Sequence, residues 1–315
     1  MGAQPHTPRP ARREHRVLGA VYADALMLRA ISADVAHAAD PRHLVHRQPR
    51  GDPFELRDPE YIARTLPALR MMADVWFRAD VRGLENIPPR GQVLLVGNHS
   101  GGTLIADTFI FGQAFYDRFG PKREFFQLAH DLVFKVPGIR AMLAPYGTVP
   151  ASPENARRAL ARGAALLVYP GGDHETYRAS WHSAEIDFAH RTGFVRLALQ
   201  ERVPIVPVVS IGGQETALFL GQGEHVARLL HLHRLLRIDV APVQIAPPWG
   251  VTVLDLPGRL PLPAKISIEV LPPIDLREEL GGPDADPDQG YELVTGRMQD
   301  VLHELAEARA LPLIG

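Results

Sequence analysis

After Pro88-Pro89 the chain settles into short β-branched runs that alternate with helix-like stretches. This alternation constrains the fold more than any other feature. The runs Val93–Val96, Phe125–Leu128, Ala165–Tyr169, Ile205–Val209 and Ile266–Leu271 read as strands. Between them, residues 106–117, 131–143, 153–162 and 192–202 read as helices. Strands alternating with helices pack as an α/β layer structure. The expectation is a mixed, largely parallel central sheet flanked by helices. Ser152-Pro153-Glu154 is a strong helix start: the hydroxyl caps, proline fits the first turn and the acid meets the helix dipole. In such sheets, chemistry gathers where strands end and loops begin.

The N-terminal part follows different rules. Residues 1–16 are polar and Arg-rich and read as a disordered tail. Residues 17–77 read as a helical extension, with apolar helical spacing over 17–38, a polar linker near 40–53 and a second helix from Asp58 to Phe77. Residues 78–315 are then the main domain, closed by an acidic loop at 281–289 and a last helix over about 290–308.

Composition removes several classes of function. Without cysteine there is no thiolate chemistry, disulfide, iron–sulfur cluster or Cys-type zinc site. A net charge of −2 offers no excess to meet a nucleic-acid backbone, so no nucleic-acid partner is expected. No apolar run is long enough to span a bilayer. Without a secretory signal in view, the expected location is cytoplasmic, peripheral on the inner face of the membrane. The stretches 17–38 and 223–238 are amphipathic and suit either core packing or a lipid surface.

The sharpest local feature is VLLVGNHSGGTLIAD, residues 93–107. An apolar strand runs into Asn98-His99-Ser100, then Gly101-Gly102, then a helix. A histidine at a strand's C-terminal end can serve as general base on a hydroxyl, and paired glycines allow close approach of a substrate. A tight turn would use the same residues. ALLVYPGGDHE, residues 165–175, repeats the arrangement: a strand, then Gly171-Gly172, then Asp173, His174 and Glu175.

The ordered set NHSGG, GTVPAS, YPGGDHE and TGFVRLA…VPIVPV resembles the glycerolipid acyltransferase superfamily over about residues 78–275. It looks nearest to bacterial relatives of the diacylglycerol acyltransferase and phytyl ester synthase branch. The resemblance implies acyl transfer from an acyl-CoA or acyl-carrier-protein thioester to a hydroxyl acceptor, a lipid or alcohol, with no cofactor. It makes His99 the general base. Asn98, Ser100, Gly101 and Gly102 would form the oxyanion and acyl-donor side. Gly171, Gly172, Asp173 and His174 would line the acceptor side. A nucleophilic Ser100 is not expected, because it lies outside any G-x-S-x-G pattern.

Two departures from the family pattern matter. The common motif N-H-x4-D places an orienting aspartate five residues after the histidine; here that position is Leu104, and the next acid is Asp107. On one continuous helix, eight residues rise about 12 Å, too far for contact. Either the glycine pair folds back and restores contact with Asp107, or Glu175 orients His99. Second, PGGDHE stands where phosphate-accepting members carry P-E-G-T-R-S, so His174 occupies an expected arginine position. Asp173 and Glu175 would repel a phosphate. The acceptor is therefore expected to be a neutral hydroxyl. A lysophospholipid acceptor would need Arg157, Arg158 or Arg191 instead. A lipid-binding member without turnover and a thioester hydrolase are the remaining readings. His130 and Asp131 join Asp173, His174 and Glu175 in no standard zinc spacing, so no metal is expected.

Overall fold

The computed structural model describes residues 51–102, 105–131, 134, 137–229, 240–255, 259–282 and 285–309. The tail and the helix expected over 17–38 lie outside the described residues, as does most of the stretch 223–238.

Ten strands are described. They are β1 (Asp80–Arg82), β2 (Val93–Gly97), β3 (Phe125–Ala129), β4 (Thr148–Pro150), β5 (Ala165–Val168), β6 (Ile205–Ile211), β7 (Leu218–Gly221), β8 (Val243–Ala246), β9 (Gly250–Val253) and β10 (Ser267–Val270). The helices, in order, are α1 (Pro59–Met71), α2 (Ala106–Phe119), α3 (Pro137–Leu143), α4 (Pro153–Ala161), α5 (Gly172–Thr176), α6 (Gly193–Glu201), α7 (Glu224–Leu229), α8 (Leu276–Glu279) and α9 (Pro287–Glu307).

The main sheet has the order β1-β10-β6-β2-β5-β3-β4. From β6 to β4 every pairing is parallel; β10 runs antiparallel to β6 and carries β1 with it. The sheet is therefore mixed and largely parallel, as the alternation of elements implies. Its central strand β2 is apolar without interruption because both faces are covered. Leu94 and Val96 pack with α4, α6 and α9 on one side. Val93 and Leu95 pack with α1 and α2 on the other. Residues at even spacing share a face, so one strand feeds both layers.

Local chemistry sets the helix starts. Ser152 Oγ accepts from the Asn155 amide at 3.1 Å and caps α4. Asp58 accepts from Glu60 and Tyr61 and caps α1. Helix α1 is amphipathic, and Ile62 and Leu66 enter the same core as β2. A second, three-stranded antiparallel sheet, β7-β8-β9, follows the end of β6. The sequence pattern did not anticipate it. Among the described residues, no helix is long and apolar enough to cross a membrane.

Parallel register is what builds the site. Val96 stands opposite Val168, so β2 and β5 end side by side. The chain leaves β2 as Gly97-Asn98-His99 and leaves β5 as Tyr169-Pro170-Gly171. The end of β6 brings Ser210 and then Gln214 alongside.

Candidate active site

His99 leaves β2 at the C-terminal edge of the sheet, and its side chain is only 14% exposed. The imidazole lies flat against Tyr169, with ring centroids 4.3 Å apart and planes within 20°. Gly97 is required by this contact: a Cβ there would sit 2.5 Å from the Tyr169 ring. The Tyr169 hydroxyl accepts from Thr108 Oγ1 at 2.8 Å, and burial pushes its phenol well above the usual range. Sequence reasoning noted Tyr169 only as a strand end. Its pairing with His99 follows from the β2–β5 register, which no local motif displays.

The glycine pair does fold back. Gly101 has φ +89° and Gly102 φ +67°, values that disfavour side chains with a Cβ. The reversal brings Asp107, in the first turn of α2, to the histidine despite the eight-residue spacing. Asp107 Oδ2 lies 3.8 Å from His99 Nδ1. That is an ion-pair distance and not a hydrogen bond, and Nδ1 is buried without a hydrogen-bond partner. The same carboxylate oxygen accepts from the Ser100 amide and the Ser100 hydroxyl, each at 3.2 Å. Asp107 is therefore inside the helix and is not its cap, which is Ile105.

Glu175 takes another position. Its Oε2 accepts from the backbone amide of His99 at 2.8 Å, and the side chain is fully buried. It therefore grips the loop and not the imidazole. Burial is the main reason its carboxyl is pushed up to about 8; Arg178, with Nη1 3.5 Å away, works in the opposite direction. Gly171 lacks a side chain because a Cβ would meet Glu175 at 2.5 Å.

The other loop groups are occupied as well. The Gly101 amide donates to Gln214 Oε1 at 3.1 Å, and the Gly102 amide donates to the Thr176 carbonyl at 3.1 Å. Thr176 Oγ1 returns a bond to the Gly102 carbonyl at 3.1 Å. Arg178 Nη1 donates to the His99 carbonyl at 3.0 Å, and Arg259 donates to that of Gly101. Asn98 exchanges two bonds with the backbone of Ser210, at 2.8 and 2.7 Å. These bonds hold the loop in place: the Asn98 carboxamide on the backbone of Ser210, and the Gly101 and Gly102 amides on Gln214 and Thr176. The Ser100 hydroxyl is likewise engaged with Asp107, with Gly213 packed so close that a Cβ there would lie 2.2 Å from it.

Arg259 was missed by sequence reasoning. It and Asp255 are each 1% exposed, with Nε 2.9 Å from Oδ1, and Gln244 Nε2 adds a bond to the same oxygen at 2.8 Å. The guanidinium thus joins the small sheet to the carbonyl of Gly101. Nothing in the sequence signals this, because the contact spans 158 positions.

After β5, Gly172 and Asp173 open α5. Arg191 braces this turn, donating to the carbonyls of Pro170 and Gly171 at 3.1 and 2.9 Å and standing 3.5 Å from Asp173. His174 Nε2 pairs with Asp187 at 2.8 Å. Beside the loop lies an open cleft of about 370 Å³, whose lining includes His174, Glu175, Arg178, His182, Glu185 and Asp187. His182 pairs there with Glu185 at 2.7 Å. A larger cleft of about 500 Å³ sits at Pro204 and Pro273 and holds none of these residues. Among the described residues, no three His, Asp or Glu side chains gather as a metal site would require.

The comparisons with known proteins fit this geometry. Residues 78–211 match the Acyltransferase family model. Uncharacterized proteins of Mycobacterium tuberculosis and Mycobacterium bovis are 32% identical over 246 residues, covering 77% of this chain and 66% of theirs. The human "DGAT1/2-independent enzyme synthesizing storage lipids" is 30% identical over 165 residues, covering 50% of this chain and 47% of that protein. The chain thus spans less than two thirds of the length of these relatives. The crystal structure of the 1-acyl-sn-glycerophosphate acyltransferase PlsC from Thermotoga maritima shares the fold, with a TM-score of 0.51 at 17% identity over 90% of this chain and 94% of that one. Over residues 78–211 the chain is thus similar to the Acyltransferase family, and it shares the fold of the Thermotoga maritima enzyme.

Two predictions follow from the electrostatics of the loop. Unfolded, Glu175 loses its proton near the ordinary 4.5; folded, it keeps the proton until about 8. Unfolding between these values releases a proton, so this residue's contribution to stability falls as pH rises through that window and is level above it. Urea titrations at about pH 5 and about pH 8 are expected to show this loss, and Glu175→Gln should flatten it. Arg259→Met removes one half of a buried pair and is expected to lower stability by about 3 kcal/mol or more. The double variant Asp255→Asn/Arg259→Met should recover part of that in the same urea titration.

Proposed function

We propose that the protein is an O-acyltransferase that moves a fatty acyl group from an acyl-CoA or acyl-carrier-protein thioester to the hydroxyl of a neutral lipid or alcohol. The observation that carries this reading is the buried His99–Asp107 arrangement at the C-terminal edge of a family-matched sheet, with Nδ1 facing the carboxylate. Closing the 3.8 Å gap by about 1 Å makes a hydrogen bond, the kind of tightening catalytic pairs undergo when substrate binds. Asp107 then holds the Nδ1–H tautomer and leaves Nε2 as proton acceptor.

The chemistry balances without a covalent intermediate. The acceptor hydroxyl loses its proton to His99 Nε2 as its oxygen attacks the thioester carbonyl carbon. The tetrahedral intermediate collapses, the C–S bond breaks, and the departing sulfur takes the proton back from His99. The products are an ester and a free thiol carrier. No cysteine or serine nucleophile is needed.

Several contacts support a neutral acceptor. Arg158 pairs with Asp52, Arg157 lies 3.6 Å from Glu201, and Arg191 is committed to the Pro170–Asp173 turn. The three arginines that could have met a phosphate are thus engaged. The cleft beside the loop carries Glu185 and Asp187, and carboxylates disfavour an anionic headgroup. The human relative is named for the synthesis of storage lipids, which agrees with an uncharged acceptor.

The test is thiol release from a panel of acyl-CoA lengths. Each is run without acceptor, with a neutral glyceride or fatty alcohol, and with a lysophospholipid. Release should require the neutral acceptor and fall by about 100-fold or more in His99→Ala, the scale of a lost general base. Asp107→Asn should fall less far. Release without any acceptor would indicate hydrolysis, preference for the lysophospholipid would overturn the neutral-acceptor reading, and a fully active His99→Ala would overturn the mechanism.

A further inference from the structure

We propose that the outer face of the β7–β9 sheet, with the tryptophans beside it, is a docking surface for a lipid bilayer. The sheet is built inside out. Leu218, Ile245 and Val251 stand opposite one another across the three strands, and all three are exposed. The reverse face carries buried Phe219 and the buried polar Gln244. Strand alternation usually sends apolar residues inward and polar ones outward. Here the polar residue faces the protein and the aliphatic ones face away from it. The three strands, LFLG, VQIA and GVTV, contain no charged residue.

The tryptophans extend this face at both ends. The chain has three, and all are exposed: Trp76 by 45%, Trp181 by 65% and Trp249 by 52%. Tryptophan is normally highly buried on average, so three exposed of three is unusual. Trp181 and Leu220 share the cleft beside the active-site loop. Trp249 directly precedes β9. The Leu260 amide donates to the Pro247 carbonyl at 2.8 Å, and Trp76 Nε1 donates to the Pro261 carbonyl at 3.2 Å, which links Trp76 to the sheet. Nine of the twelve large apolar residues exposed among the described residues fall in this one band, so the exposure is a patch and not scatter.

Charge selects the occupant. The three strands are uncharged, basic residues flank the Trp76 end, and Glu185 and Asp187 share the cleft with Trp181 at the other end. Arg78 donates to the Pro263 carbonyl at 2.8 Å, and Lys265 is held alongside by the bond from the Ile266 amide to the Phe77 carbonyl. Asp74, the acid nearest Trp76 in the chain, acts on Arg70, one helical turn before it. An apolar strip with aromatic ends and basic residues at its Trp76 end matches acyl chains, with anionic headgroups met at that end. Docking also has a consequence for the site. Phe219, on the inner face, would contact a Cβ at Gly102 at 3.0 Å, and Arg259 links the same sheet to Gly101. A bilayer held on the outer face therefore sits one strand's thickness from the catalytic loop.

Binding is measured without turnover, so its outcome is separate from that of the acyltransferase reading. Three full-length proteins, each keeping one tryptophan with the other two changed to phenylalanine, are mixed with phosphatidylcholine vesicles with and without phosphatidylglycerol. Emission of Trp181 and Trp249 should shift to the blue and be quenched by brominated acyl chains, more strongly with the anionic lipid. The variant V251E/V253E, altered only at exposed positions, should fold as wild type and lose about tenfold or more in vesicle partition. Vesicle binding without a change at Trp181 and Trp249, or binding unaffected by V251E/V253E, would overturn the proposal. So would an absence of vesicle binding, or self-association that this variant abolishes, which would make a second copy the occupant.

Discussion

The backbone of residues 99–102 belongs to no helix or strand, yet it is buried, and buried peptide groups must find partners. Side chains and loop groups from elsewhere supply them. Glu175 and Gln214 accept from the amides of His99 and Gly101, Asp107 accepts from that of Ser100, and Arg178 and Arg259 donate to carbonyls. Thr176 closes both groups of Gly102. These partners come from the end of β5, the end of β6, α2 and the far side of the small sheet. The loop is thus the point at which four parts of the chain are fixed relative to one another. His99 inherits its position from that network.

This arrangement gives the two carboxylates near His99 different tasks. Asp107 faces the imidazole; Glu175 faces the peptide bond. Asp107 lies in the first turn of α2, where the helix dipole favours negative charge. Glu175 has no exposure, and its carboxyl is pushed up to about 8, so at neutral pH it holds the loop chiefly as a neutral acid.

How far the sequence revealed this depends on the range of each interaction. β2, β5 and β6 are buried on both faces, so their apolar runs stand out, and Ser152 and Asp58 announce their helices through local caps. His99 and the two glycine pairs were visible because each lies where a run ends. The spacing to Asp107 was ambiguous because it turns on two positive φ angles that composition alone does not fix. Tyr169, Gln214 and Arg259 were not legible as partners of the loop: their contacts depend on strand register or on pairing across more than 100 positions. β7–β9 escaped detection because its strands are four residues long and its polar residue points inward.

The central claim is that Asp107, brought in by the glycine turn, sets the state of the His99 imidazole. Nitrogen NMR of selectively labelled His99 tests it most directly. The account predicts that Nδ1 carries the ring's proton in the wild-type protein, a preference lost in Asp107→Asn and kept in Glu175→Gln. A proton on Nε2 in the wild type, or a spectrum that Asp107→Asn leaves unchanged, would contradict it.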